Sequence, residues 1–259
     1  MKIVVNADDF GFDDDTVAAT IECFERGAIT SATIMPRMPA TERAIQYART
    51  HPDLAFGVHL TFSGGLGCGE RPVGDPATLP QLVDARGEFR SGGAVMKASI
   101  LRRLDVAPIA REMDAQIHRL LSSGVRLSHV DSHGHVHKSW AFVQAMRDVL
   151  PRYGLRRVRR GQNVWMAKPL RSPTFWTAGL LHPDVGRWFR TTDRFFMPTR
   201  PGEAGRLPEL LASRAAGVLE VGVHPGYAEK WRDAERTGVQ AFTAAIPASR
   251  HELTSWAAV

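Results

Sequence analysis

The chain has 259 residues, 44% hydrophobic and 23% charged, ordinary for a soluble globular protein and long enough for one α/β barrel or two small domains. Two cysteines, Cys23 and Cys68, exclude a disulfide framework and favour a reducing compartment; no apolar run suits a signal peptide or a membrane span, so a cytoplasmic protein without a membrane partner is expected. The net charge of +6 raises nucleic acid as a partner, but the densest basic run, Arg156 to Arg160, has no interleaved aromatics and reads as a solvated loop and strand edge, so none is expected.

Lys2 to Ala7 reads as a short buried strand. Asp13, Asp14 or Asp15 can cap a helix whose apolar face uses Val17, Ile21 and Phe24, with Cys23 as a small buried thiol and Gly27 at its end. ITSATIM (29–35) is a second strand, and a helix over roughly 40–50 leads into the strand LAFGVHL (54–60). The Gly- and Pro-rich stretch 63–93 reads as a long loop of the kind that carries function. Pro108 in a first helical turn, followed by Ile109, Met113, Ile117 and Leu120, marks an amphipathic helix that stops at Gly124. VRLSHVD (125–131) follows, then a helix from Ser139 with Phe142, Met146 and Val149. LRRVRR (155–160) and LEVGVHPG (219–226) read as later strands. The aromatic-rich stretch 164–197 holds Trp165, Phe175, Trp176, Trp188, Phe189, Phe195 and Phe196. Helix packing is its expected use, with a lid over a sugar or an apolar aglycone as the alternative. Strands alternating with helices predict a parallel sheet, open or closed into a barrel, within one domain spanning 1–259.

Residues 129–137 read HVDSHGHVH, which places four of the chain's 10 histidines within one short stretch. In an extended chain His129, Asp131, His133, His135 and His137 would share one face, although not all of them can bind one ion. Three further groups lie at or near the C-terminal ends of predicted strands: Asp8–Asp9, His59 and His224. In parallel α/β folds that edge is where active sites assemble. Gly57 precedes His59 on its own strand face, and Gly222 precedes His224 in the same way, which leaves room for a ligand or metal. Asp8 and Asp9 should point to opposite sides of an extended strand and so do different jobs. Each group has an ordinary reading: helix capping for the aspartates, a satisfied core histidine for His59, a Pro-Gly turn for His224. Their common location argues against all of these at once.

NADDFG (6–11), GVHL (57–60), HVDSHGHVH (129–137) and HPG (224–226), in this order, resemble the YdjC-like carbohydrate deacetylases. That family includes chitooligosaccharide deacetylases and a hopanoid-biosynthesis-associated branch. The resemblance runs from Met1 to about Tyr227 and leaves out 164–197. It implies an α/β fold, a distorted, incomplete (β/α) barrel with a parallel sheet, holding one divalent ion through an aspartate and two histidines. By motif position these are Asp9, His59 and His133. The ion would be Zn²⁺ or Mg²⁺, and the donor types also suit Mn²⁺ or Co²⁺. Asp8 matches the general base, and His224 matches an acid or oxyanion stabiliser. His129, Asp131, His135 and His137 would orient those groups or line the pocket. The implied reaction removes the N-acetyl group from a small-molecule amino sugar or glycoconjugate, giving acetate and a free amine.

Two rival readings stay open on the sequence. One is another barrel metallohydrolase with one or two metals, of the amidohydrolase or phosphoesterase kind, although its usual first-strand HxH pair is replaced here by Asp8–Asp9. The other is a non-catalytic metal- or sugar-binding protein, which leaves Asp8 without a purpose. A homo-oligomer is neither indicated nor excluded.

Overall fold

The computed structural model describes residues 1–65, 67–166, 183–200 and 202–259. Phe175 and Trp176 of the aromatic stretch lie outside them.

Strand β1 (Lys2–Phe10) is the centre of the sheet. Ile3, Val4, Val5 and Ala7 have no exposed surface, as expected of a parallel strand covered on both faces. One edge of β1 pairs with β6 (Val218–Val223), from Lys2 opposite Val218 to Ala7 opposite Val223. The other edge is shared. Residues Lys2–Val4 pair with β7 (Glu252–Thr254), and the C-terminal part pairs with β2 (Ser31–Ile34). The order continues outward through β3 (Ala55–Leu60) to β4 (Leu127–Ser132), while β5 (Arg194–Phe196) flanks β6; every pairing is parallel.

Past β4 the sheet is carried, among the described residues, by single bridges, Val130 to Val158 and Arg157 to Arg190. The LRRVRR stretch is thus a two-residue bridge instead of a full strand, and the barrel is distorted and incomplete at this side. The solvated reading of the basic run fails at one position: Arg159 is wholly buried.

Six α-helices among the described residues surround the sheet: α1 (Asp14–Glu25), α2 (Thr41–Thr50), α3 (Gly92–Ile100), α4 (Val106–Ser122), α5 (Trp140–Val149) and α6 (Lys230–Ala245). The cap of α1 is Asp13, which accepts from Thr16 N at 2.8 Å while its own N–H donates to Thr16 Oγ1 at 3.2 Å. Gly27, at φ 65°, ends that helix, and Ala28 N bonds back to Cys23 O. Helix α4 buries Ile109, Met113, Ile117 and Leu120, and α5 buries Phe142, Met146 and Val149, as their periodicity predicts. Helix α3 begins where the expected long loop ends; its paired leading glycines hid it, and the Ser91 hydroxyl caps it at Ala94 N. The loop is anchored by buried Leu79, Leu82, Val83 and Phe89. Of the aromatic stretch, Phe195 and Phe196 are buried in β5, whereas Trp188 is exposed over Arg147. No helix of the described residues is long and apolar enough to cross a membrane.

The histidine-rich stretch is extended only as far as Ser132. From His133 to Lys138 it coils into tight turns, with Gly134 and His135 at positive φ (62° and 54°). The shared face expected of its alternating residues is therefore lost beyond Asp131.

Candidate active site

Asp8, Asp9, His59, His133 and His224 meet at the C-terminal edge of β1, β3, β4 and β6. Asp9 breaks the alternation of β1. Its φ of 58° is rare for a residue other than glycine, and a bulge between Ala7 and Phe10 shifts the β2 register. Asp8 and Asp9 consequently enter one buried cluster instead of facing apart, although their partners remain different.

His59 Nε2 and His133 Nδ1 both approach the same oxygen, Asp9 Oδ1, at 3.2 and 3.1 Å. Asp131 Oδ1 accepts from His59 Nδ1 at 2.7 Å, which assigns that nitrogen the proton and leaves Nε2 to face Asp9. Facing a carboxylate, that Nε2 has to carry positive charge, either as a proton or as a bound metal ion. Burial opposes a proton on His59, but Asp131, Asp9 and Asp8 outweigh burial and push its pKa up to about 10. Burial likewise opposes ionised Asp9, yet His133 and His59 hold its pKa well below the usual carboxylate range. The ligand atoms of Asp9, His59 and His133 lie within 4.8 Å of one another. One carboxylate and two imidazoles on three separate strand ends are a donor set that fits a divalent transition-metal ion, with the Asp131–His59 hydrogen bond as the usual support. Asp8, His59 and Asp131 form a second cluster of donors, but there the Arg159 guanidinium already supplies the cation.

Arg159 is the residue that sequence reasoning missed most completely. Its Nη1 and Nη2 donate to Asp8 at 2.5 and 2.7 Å, Nη1 also reaches Asp131 Oδ2 at 2.8 Å, and Nε donates to Glu220 Oε1 at 2.7 Å. Burial opposes ionisation of Asp8, but Arg159 outweighs it and holds that carboxyl far below its ordinary range. Burial pushes Glu220 up to about 7 against Arg159, and its second oxygen has no partner. Trp256, wholly buried, donates from Nε1 to Glu220 Oε1 at 3.1 Å and stacks on His129 at 4.9 Å. His129 contacts Asn6 Oδ1 at 3.0 Å, and Asn6 Nδ2 donates to Asp8 Oδ1 at 2.9 Å. Two arms from Trp256 therefore converge on Asp8.

His224 is held from α6. Glu235 Oε2 accepts from both its backbone N–H (2.7 Å) and its Nδ1 (3.1 Å), leaving Nε2 at 4.0 Å from Asp8 Oδ2. Burial disfavours the imidazolium, but Glu235, with Asp9 and Asp8 behind it, raises the pKa above the ordinary value. Arg232, also on α6, donates from Nη2 to Asp9 Oδ2 at 2.8 Å. Neither Glu235 nor Arg232 was singled out from the sequence; their only signal was helical spacing onto the buried face of an amphipathic helix.

The remaining histidines do other work. His137 is neutral, with a pKa pressed to about 3 by burial and Arg159, and joins Ser132 Oγ to the Arg159 carbonyl. His135 contacts Met197 sulfur at 3.3 Å. The space expected beside Gly57 and Gly222 is taken by the protein itself. A Cβ on Gly57 would come 2.7 Å from the His129 ring, and one on Gly222 would meet Met197 at 2.7 Å. Both glycines permit close packing of side chains, not access for a ligand.

The family described as YdjC-like protein matches residues 2–255 by its sequence model, well past the Tyr227 limit expected from motifs and across all of α6. A carbohydrate deacetylase of Geobacillus stearothermophilus is 40% identical over 195 residues, or 74% of this chain and 70% of that protein. One of Thermoanaerobacter pseudethanolicus is 30% identical over 254 residues, covering 97% and 90%. Among solved structures, a putative cellobiose-phosphate cleavage protein from Enterococcus faecalis V583 shares the fold, with a TM-score of 0.77 at 24% identity over 99% of this chain and 98% of that one.

Proposed function

This chain belongs to the YdjC-like family, and from that premise we propose that it is a metal-dependent hydrolase that removes the N-acetyl group from an amino sugar or its glycoconjugate, releasing acetate and a free amine. The observation that carries the metal dependence is the convergence of His59 Nε2 and His133 Nδ1 on one oxygen of Asp9, with His59 locked from behind by Asp131. A divalent ion held by Asp9, His59 and His133 supplies Lewis acidity toward the acetamide carbonyl and lowers the pKa of a water.

The chain's own residues handle the protons. Asp8, kept ionised by Arg159, accepts the proton of the attacking water. Such a clamp weakens the base, and the sharing of Arg159 with Asp131 and Glu220 limits that weakening. His224, whose imidazolium form Glu235 favours, gives the Nε2 proton to the departing nitrogen. Glu235 keeps the ring oriented throughout. A non-catalytic binding protein would have no use for this pair of proton-handling groups 4.0 Å apart in one cluster. A first-strand HxH pair, expected of an amidohydrolase-type site, is absent from β1.

The test is acetate release from N-acetylated mono-, oligo- and lipid-linked sugars, with Zn²⁺, Mn²⁺, Co²⁺ or Mg²⁺ added back to metal-stripped protein. Release from at least one sugar is expected; release from none with any metal refutes the reading. In parallel, elemental analysis should find His133→Ala strongly depleted of metal and His137→Ala much less so. Equal metal content in His133→Ala and wild type refutes the ligand set.

A further inference from the structure

We infer that the cavity of about 490 Å³ beside His224 is the subsite for the sugar ring that bears the departing nitrogen, with the apolar face of that ring lying on the indole of Trp231. The inference rests on the amide-hydrolase reading and names what that reading leaves open, namely where the carbohydrate sits.

Direction comes first. The Nδ1 edge of the His224 ring is closed by Glu235, and its Nε2 edge faces Asp8 at 4.0 Å. A nitrogen that takes its proton from Nε2 lies between His224 and the Asp9 cluster. The carbon skeleton attached to that nitrogen must then leave on the open side, where His224 itself forms part of the cavity wall. A cavity of comparable size between Arg71, Asp84 and Arg86 touches no residue of the Asp9 cluster and neither His224 nor Glu235.

The wall is suited to a pyranose. Trp231 stands in the first turn of α6, 47% exposed, with its ring edge-on to His224 at 5.4 Å. It is backed by the Arg232 guanidinium at 4.5 Å, and Arg232 is itself fixed by Asp9 and Glu229. A large aromatic left half in solvent on an otherwise charged helix turn, yet backed by a fixed guanidinium, is an arrangement for binding and not for core packing. A sugar ring presents a face of C–H groups and a rim of hydroxyls. Thr199 and Arg200, whose backbone N–H groups are held by Glu203 at 2.8 and 3.2 Å, and Lys230 bring polar groups to that rim.

Trp231→Ala and Trp231→Phe should be compared with wild type on an N-acetylated amino sugar and on a ring-free N-alkylacetamide. Losing the platform should lower the preference for the sugar, read as the ratio of the two kcat/KM values, by about tenfold, which corresponds to some tens of Å² of apolar ring face left uncovered. Most of the sugar loss should fall on KM, and Trp231→Phe should recover most of the preference. General damage to the fold lowers both substrates together and leaves the ratio alone, so an unchanged ratio in Trp231→Ala overturns the inference. A second measurement needs no turnover. Titration with the free amino sugar should quench wild-type tryptophan fluorescence saturably, and binding followed by calorimetry should weaken about tenfold in Trp231→Ala. Equal affinity also overturns it. If wild type releases acetate from neither substrate, the hydrolase reading has failed, and the titration decides the subsite by itself.

Discussion

Two stretches rich in ionisable residues contribute to this site in opposite proportion to how conspicuous they are. HVDSHGHVH (129–137) holds four histidines, of which only His133 enters the donor cluster. EKWRDAER (229–236) is an ordinary charged helix start, yet Trp231, Arg232 and Glu235 from it touch His224 or Asp9. The first stretch is a strand that ends in a turn, so each side chain has its own direction and its own partner: His129 toward Asn6, Asp131 toward His59, His137 toward Arg159. The second is a helix, where residues three and four apart share a face, so a few positions act together. Density of chemically able residues in a stretch is thus a weaker guide than the element that aims them.

Arg159 tests that lesson hardest, since it comes from a basic run that reads as solvated. Arg159→Met leaves Asp8, Asp131 and Glu220 buried without their shared cation, and should destabilise the fold by roughly 3–5 kcal/mol in denaturant titration at neutral pH. The sign with pH follows from Asp8. Its folded pKa is depressed, so in wild type it contributes stability above about pH 4 that is lost as pH falls. Without Arg159 the buried carboxyls favour the protonated form, and the gap between variant and wild type should narrow in acid. A loss below about 1 kcal/mol, or one that is flat with pH, would restore the solvated reading.

Glu235→Gln sharpens the comparison from the helix side. Turnover should fall about 10–100-fold, the range typical of a group that orients a functional imidazole, while metal content holds. Because Glu235 raises the pKa of His224, the active imidazolium survives to higher pH in wild type; the alkaline limb of the pH–rate profile should move to lower pH in the variant. An alkaline limb that stays in place would show that another group titrates there. The smallest effect is expected from Trp256→Phe, which keeps the stack on His129 but removes the N–H donated to Glu220. It should lower stability by about 1 kcal/mol, against about 3–5 for Trp256→Ala. Equal losses in the two variants would mean that the hydrogen bond, and not the ring, is what Trp256 contributes.

Much of this arrangement is legible in the linear chain. Asp13 and Gly27 bound α1 by chemistry confined to neighbouring residues, and the periods of α4 and α5 betray their buried faces. Strand-end placement likewise brings Asp9, His59, His133 and His224 under suspicion, because in a parallel sheet every C-terminal end falls on one edge. What the linear chain withholds are the partners. Arg159 meets Asp8 across 151 residues and Arg232 meets Asp9 across 223, and nothing local to either arginine marks it as buried. The positive φ of Asp9, which turns two adjacent carboxylates into one cluster, is set by the bulge against β2. Periodicity reports which face of an element is covered, since that depends on neighbours along the chain. Which charge lies opposite which is decided only when the sheet closes, because Coulomb attraction and hydrogen bonds act over a few Å of space whatever the distance in sequence.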